Sequence, residues 1–184
     1  MTRIEMDYQL MRMIDSIPGI RGINNHGGSR FSEDPIRTHW LLEEVQNRDL
    51  FFIDSRTTAK TAFANMAKTL DMRFGQRDVF LDNVRNEKAI IAQLELLKQR
   101  ALKQGNAIAI GHPYPETLTV LAAKLPEFEA QGFDIVFASA LTTLPDVTPP
   151  PKNNLADEAP LWSLSTTNRN ARITLPERLE SEKL

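Results

Sequence analysis

Four titratable side chains follow short apolar runs in this sequence: His26, Asp54, Asp82 and His112. Histidine and aspartate are among the side chains that most often move protons in enzymes. Two histidines with a carboxylate also form a ligand set that zinc accepts, and zinc lowers the pKa of a bound water to about 7. The residue types therefore point to hydrolysis by a general acid, by a metal-bound water, or by both.

Each of the four side chains also has a structural interpretation. A histidine at the end of a strand is often a packing or capping residue, and an aspartate in that position often caps the helix that follows. The sequence leaves both interpretations open. His39 lies beside Trp40 within a predicted helix, and we interpret it as structural or solvated.

Three more polar residues adjoin these candidates. Asn25 suits a turn, or an orienting role toward His26. Arg56 follows Asp54 by two positions and can orient a carboxylate or hold a carbonyl oxygen. Tyr114 lies just beyond the last candidate histidine, where its ring can stack on a sugar, although a packing role fits it equally well.

The elements that must position these residues alternate in type. Five short apolar runs predict strands, at about 20–25, 50–53, 79–81, 107–110 and 134–138. Apolar residues at helical spacing predict helices at about 4–17, 35–47, 58–70, 87–104 and 117–125. Asp34 before Pro35 and Asn86 are predicted helix caps, and Gly105 suits a left-handed helix end.

Strands that are apolar on both faces and that alternate with amphipathic helices predict an α/β fold with parallel strands and outer helices. The carboxyl ends of parallel strands share one edge of the sheet, so we expect the candidate residues to gather there. Arg77 precedes its apolar run, and we expect it at the opposite rim of the sheet or at a sheet edge, in a structural role.

Composition excludes several classes of protein. The 184 residues carry a formal charge of −2, which leaves no basic excess for nucleic-acid binding. No apolar run approaches the roughly 20 residues of a membrane span, and the first residues, MTRIEMDYQ, lack the apolar region of a signal peptide. Cysteine is absent, which excludes disulfides and thiolate metal ligands.

The last part of the chain differs from the rest. Pro145 and Pro149–Pro151 interrupt it, and the residues beyond are polar. We expect residues 1–142 to form one domain, and 143–184 to form a proline-rich linker and a polar tail that is disordered or loosely docked.

Four segments, in this order and spacing, resemble the divergent polysaccharide deacetylase family: Gly22–Phe31, Phe52–Thr57, Arg77–Asn83 and Ala109–Pro113. The resemblance extends from about Met6 to Leu141. One departure is Gly27, where the family usually has methionine. The resemblance implies a distorted (β/α) barrel, related to metal-dependent carbohydrate esterases.

The resemblance also implies an activity and a site. Members of the wider superfamily use a divalent metal, usually Zn²⁺, to hydrolyse acetyl groups on polysaccharides. By this analogy His26 and His112 are metal ligands, with His112 also a candidate general acid. Asp54 and Asp82 join it as catalytic residues, and the predicted substrate contacts are Asn25, Arg56 and Tyr114.

Two features of the family are missing from the sequence: the paired aspartates of its first strand and a later H-L-P-M segment. We therefore expect a barrel that is incomplete at its N-terminus, an inactive chain when alone, and self-association through an unpaired sheet edge. The resemblance places the family in the periplasm or cell envelope. The alternative function is a catalytically degenerate barrel that binds a glycan or an envelope partner.

Overall fold

A computed structural model describes residues 1–142 and 171–175 of the chain. These residues form two compact units, which are described separately. Unit 1 comprises Met1–Arg77 with Thr142, and unit 2 comprises Asp78–Leu141 with a strand at 171–175.

Unit 1 contains four helices and three strands: α1 Arg3–Asp15, β1 Gly22–Asn24, α2 Ser29–Ser32, α3 Pro35–Asn47, β2 Phe51–Asp54, α4 Phe63–Leu70 and β3 Phe74–Gln76. The strands form a parallel sheet in the order β1-β2-β3. All four residues of the central strand β2 are buried. Its Phe52 packs against Phe63 of α4, with ring centroids 4.6 Å apart.

Unit 2 contains the remaining elements: β4 Val79–Phe80, α5 Glu87–Gln104, β5 Asn106–Ile110, α6 Pro115–Ala130, β6 Phe133–Phe137, a 3-10 turn Ala138–Leu141, and β7 Ala171–Leu175. Its four parallel strands have the order β4-β5-β7-β6. The predicted apolar stripe of α5 is buried against this sheet, and it consists of Ile90, Leu94, Leu97 and Ala101.

The predicted helix ends are confirmed. The Asp34 carboxylate accepts hydrogen bonds from the backbone N–H groups of Ile36 and Arg37 at the start of α3. These bonds, with that from Arg37 first, hold the pKa of Asp34 below its usual range. Asn86 caps α5 by accepting from Ala89 N, and Gly105 ends that helix with a φ of 88°.

Several predicted boundaries are wrong. Helix α4 begins at Phe63 rather than 58, and α6 runs from Pro115 to Ala130 rather than from 117 to 125. Helix α6 continues through Pro126 because Phe128, two residues further on, is buried in the core. That packing offsets the backbone hydrogen bond that the proline removes.

Two strands were not predicted. β3 is short and has glycine at its centre, so it lacks an apolar run. β7 lies within the segment 143–184, and apart from this strand the predicted linker and tail fall outside the described residues. None of the helices in the described ranges is long and apolar enough to span a membrane.

Ile173 lies at the centre of β7, where it pairs with Ala107 of β5 and Ile135 of β6. Proline at this position removes a backbone donor between two neighbouring strands. We expect Ile173→Pro to lower the free energy of unfolding by about 1–3 kcal/mol in chemical denaturation, because a sheet hydrogen bond is lost and its acceptor is left unpaired. Ile173→Val is the control that keeps the backbone donor, and equal stability of the two variants would contradict the central position of β7.

Candidate functional site

The predicted site residues of unit 1 lie at the carboxyl ends of β1 and β2. Asn25, in the turn after β1, joins it to the turn after β2, because its Oδ1 accepts from Ser55 N at 2.7 Å. Its Nδ2 also donates to Ser32 Oγ, at the end of helix α2, at 3.3 Å. Asn24 Nδ2 adds a bond of 3.0 Å to Ser55 Oγ. The amide of Asn25 therefore holds the turns together.

Asp54 ends β2 and is completely buried. Its Oδ1 accepts from Arg56 N at 2.8 Å, which fixes Arg56 in a left-handed conformation with a φ of 49°. Its Oδ2 has no hydrogen-bond partner among the described residues. A buried carboxylate oxygen without a donor is costly, so this atom is a candidate for contact with water or a substrate.

The side chain of Arg77 contacts the same turn, and the expectation that Arg77 lies at the opposite rim is wrong. Its Nε donates to Ser55 O at 2.6 Å and its Nη2 to Arg56 O at 2.9 Å. Burial and the charge of Arg56 lower the pKa of Arg77, and Asp54 opposes that shift. Arg77 lies here because it follows β3, the strand that the sequence did not reveal.

His26 is exposed in the turn between β1 and α2. The two residues that follow it, Gly27 and Gly28, have φ values of 67° and 69°. A side chain is strained in this left-handed region. Glycine at position 27, where the family usually has methionine, therefore suits the conformation of this turn.

Asp82 and His112 form the centre of the predicted site in unit 2. The side chain of Asp82 is fully buried, and its Oδ1 lies 2.9 Å from His112 Nδ1. Its Oδ2 accepts from the backbone N–H of His112 at 2.5 Å and from Thr117 Oγ1 at 3.0 Å. Thr117, also buried, is a site residue that the sequence analysis missed, because a threonine in the first turn of a helix gives no distinctive signal.

These bonds determine how His112 can exchange a proton. An ionised carboxylate only accepts hydrogen bonds, so the bond to Asp82 places a proton on His112 Nδ1. The imidazole is 32% exposed, which allows it to meet a substrate. A histidine oriented in this way by a buried aspartate is suited to act as a general acid or base.

Aromatic and charged side chains surround the imidazole. Its centroid lies 5.7 Å from that of Phe80 and 5.0 Å from that of Tyr114. The Arg85 guanidinium lies over the Tyr114 ring, 4.2 Å from its centroid, and Arg85 Nε is 3.2 Å from Glu116 Oε2. The pKa of Glu116 is lowered, first by its own backbone N–H and then by Arg85.

A complete metal site is not assembled in the part of the chain that the structure describes. No three His, Asp or Glu side chains within it are placed to hold one ion. Both carboxylate oxygens of Asp82 already accept hydrogen bonds, from His112 and from Thr117. These residues alone do not fit a divalent metal site, and the two metal-ligand assignments stay predictions.

Comparison with known proteins identifies the class. The profile of the family described as "Divergent polysaccharide deacetylase" matches residues 1–142. The chain therefore belongs to the divergent polysaccharide deacetylase family, as its four segments predict.

Two relatives support this membership. The chain is 31% identical over 159 residues to the uncharacterized protein YibQ of Escherichia coli, covering 85% of this chain and 50% of YibQ. It is 40% identical over 104 residues to an uncharacterized protein of Haemophilus influenzae, covering 56% of this chain and 37% of that protein. The chain thus spans half or less of the length of these relatives.

A solved structure supports the fold. The crystal structure of an uncharacterized protein of Agrobacterium tumefaciens matches 66% of this chain and 49% of its own, with a TM-score of 0.65 and 27% sequence identity. The predicted α/β fold class, with parallel strands and outer helices, is confirmed.

The bond from Thr117 to Asp82 can be tested with a matched pair of variants. Thr117→Val keeps the shape of the side chain but removes the hydroxyl donor, whereas Thr117→Ser keeps the donor. Hydrogen bonds to buried charges are worth about 1.5–3 kcal/mol, so we expect the valine variant to lose about that much stability in urea denaturation. The serine variant should lose less. Equal losses would show that packing, and not the hydroxyl, accounts for the effect.

Proposed function

We propose that the protein hydrolyses acetyl groups on a polysaccharide, and that His112 is the general acid that protonates the leaving group. The observation that supports the proposal is the pairing of His112 Nδ1 with the buried carboxylate of Asp82, at 2.9 Å. This pairing occurs after β5 in a member of a polysaccharide deacetylase family. The family suggests a glycan as substrate.

The two aspartates have different roles in this proposal. Asp82 holds the His112 ring in place and stabilises its charged form when a proton is bound at Nε2. Asp54 has a buried Oδ2 that lacks a donor within the described residues. This buried oxygen can accept a hydrogen bond from an internal water, and the catalytic role of Asp54 in this proposal would be exerted through such a water.

The three predicted substrate contacts differ in what their own bonds allow. Arg56 Nη1 donates a hydrogen bond to Gln76 Oε1 at 3.0 Å. The guanidinium carries further donors, which suit a carbonyl or anionic oxygen. Asn25 already uses both ends of its amide within unit 1, so its contribution is to shape the turn. Tyr114 offers a sugar only the ring surface that Arg85 leaves uncovered.

His112 and Asp82 can be tested in the protein isolated from its native cells. We expect His112→Ala to lower the rate of acetate release from an acetylated oligosaccharide by about 10²–10⁴-fold, because the general acid is lost. Asp82→Asn should lower it by about 10–100-fold, as for other residues that orient a catalytic group. His39→Ala, in helix α3, is the matched control and should retain activity. Full activity of the His112 variant would refute the proposal.

The divalent metal, predicted as Zn²⁺, belongs to the proposal through the family and not through a site in the described residues. The assignment of His26 as a ligand has a direct test that does not require turnover. We expect the native protein carrying His26→Ala to retain less zinc after dialysis than the unchanged protein, measured by elemental analysis. Equal zinc content in the two proteins would remove His26 from the ligand set.

The second candidate function is a glycan-binding module without catalysis. It is favoured by the lack of a three-donor metal group in the residues that the structure describes. The two functions differ in their response to a chelator, because hydrolysis that needs a metal is lost in EDTA. Oligosaccharide binding that persists unchanged in EDTA, without acetate release at any metal concentration, would favour the binding module.

Location and self-association follow as further parts of the proposal. The family is typically extracytoplasmic, and we place this protein in the periplasm or cell envelope. Among the described strands, β1 and β3 end the order of the sheet in unit 1, and β4 and β6 end that of the sheet in unit 2. Parallel edge strands offer unpaired backbone groups, through which self-association would occur.

A further inference from the structure

We infer that Arg85 is a positioning residue for His112 and acts through the ring of Tyr114. The catalytic part of this inference rests on the function proposed for His112, whereas the structural part does not. Arg85 lies before helix α5, outside the segments by which the family was first identified in the sequence. Its contacts in unit 2 link it to His112 through Tyr114.

The contacts form a continuous series from the surface to the imidazole. Glu116, in the first turn of α6, pairs with Arg85 Nε at 3.2 Å. The Arg85 guanidinium lies over the Tyr114 ring at 4.2 Å, and the Tyr114 and His112 ring centroids are 5.0 Å apart with a tilt of 32°. Phe80 also packs against the imidazole, at 5.7 Å.

This series restrains a motion that Asp82 does not fully control. The carboxylate holds one edge of the His112 ring through Nδ1. Rotation of the ring about that hydrogen bond is opposed by aromatic neighbours, of which Tyr114 is one. Tyr114 stays in place only if its own ring is held, and it is the N-cap residue of α6 without a side-chain capping bond. The guanidinium of Arg85 supplies that restraint.

If Arg85 served only to stabilise the fold, removing its guanidinium would shift the unfolding transition. The side chains of Arg85 and Glu116 are 53% and 36% exposed, and an ion pair this exposed adds little to stability. Removing the guanidinium should therefore leave the unfolding transition nearly unchanged. The order of the His112 ring, in contrast, should change, because an exposed cation–π contact biases the populated arrangement by about twofold to fivefold.

The experiment compares Arg85→Met, Arg85→Lys and the control Arg100→Met by NMR of the full chain labelled at histidine. The ring current of Tyr114 displaces the His112 ring signals from those of an exposed histidine. We expect this displacement to shrink in Arg85→Met, to be largely kept in Arg85→Lys, and to be unaffected by Arg100→Met on the exposed face of α5. Signals in Arg85→Met identical to those in Arg100→Met would overturn the inference.

A kinetic measurement on the native protein separates this inference from the proposed function. We expect Arg85→Met to lower kcat for acetate release by about twofold to fivefold, with recovery in Arg85→Lys. Unchanged kcat in spite of altered His112 signals would overturn the catalytic part. Full activity of His112→Ala would instead overturn the proposed function, and the NMR comparison would still decide whether Arg85 orders the ring.

Discussion

The burial of one carboxylate sets the local structure of unit 2. An ionised aspartate inside a protein is tolerated only when hydrogen bonds replace its lost water. Asp82 obtains these bonds from the backbone of His112, from its imidazole and from the hydroxyl of Thr117. Those groups lie after β5 and at the start of α6, so the charge fixes the end of a strand, the entry of a helix and the catalytic candidate together.

Unit 1 also has a buried aspartate at the end of a strand, Asp54 of β2, but its hydrogen bonds differ from those of Asp82. Asp54 satisfies one oxygen through the backbone of Arg56 and leaves the other without a donor within the described residues. The surrounding turn is held by Arg77, whose guanidinium donates to two backbone carbonyls. One aspartate is thus fully engaged in orienting a histidine, while the other retains an unused acceptor.

The sequence predicted those features that depend on local signals. The caps Asp34 and Asn86, the apolar stripe of α5 and the strands β2 and β5 are each encoded by neighbouring residues. The sequence also predicted correctly that Asp82 and His112 lie together, because each follows an apolar run that forms a strand. Features that depend on distant partners could not be predicted in this way. β7 owes its place to pairing with β5 and β6, and Arg77 owes its place to β3, which has no apolar run of its own.

The strand order of unit 2 has a consequence for the way the chain folds. β7 lies between β5 and β6, although it is the last of the described strands to leave the ribosome. β5 and β6 gain their shared neighbour only after the long connection to residue 171 has been made. Contacts between distant parts of a chain slow folding and leave hydrophobic strands exposed in the meantime. The sheet of unit 2 therefore cannot be completed before residues 171–175 have been synthesised.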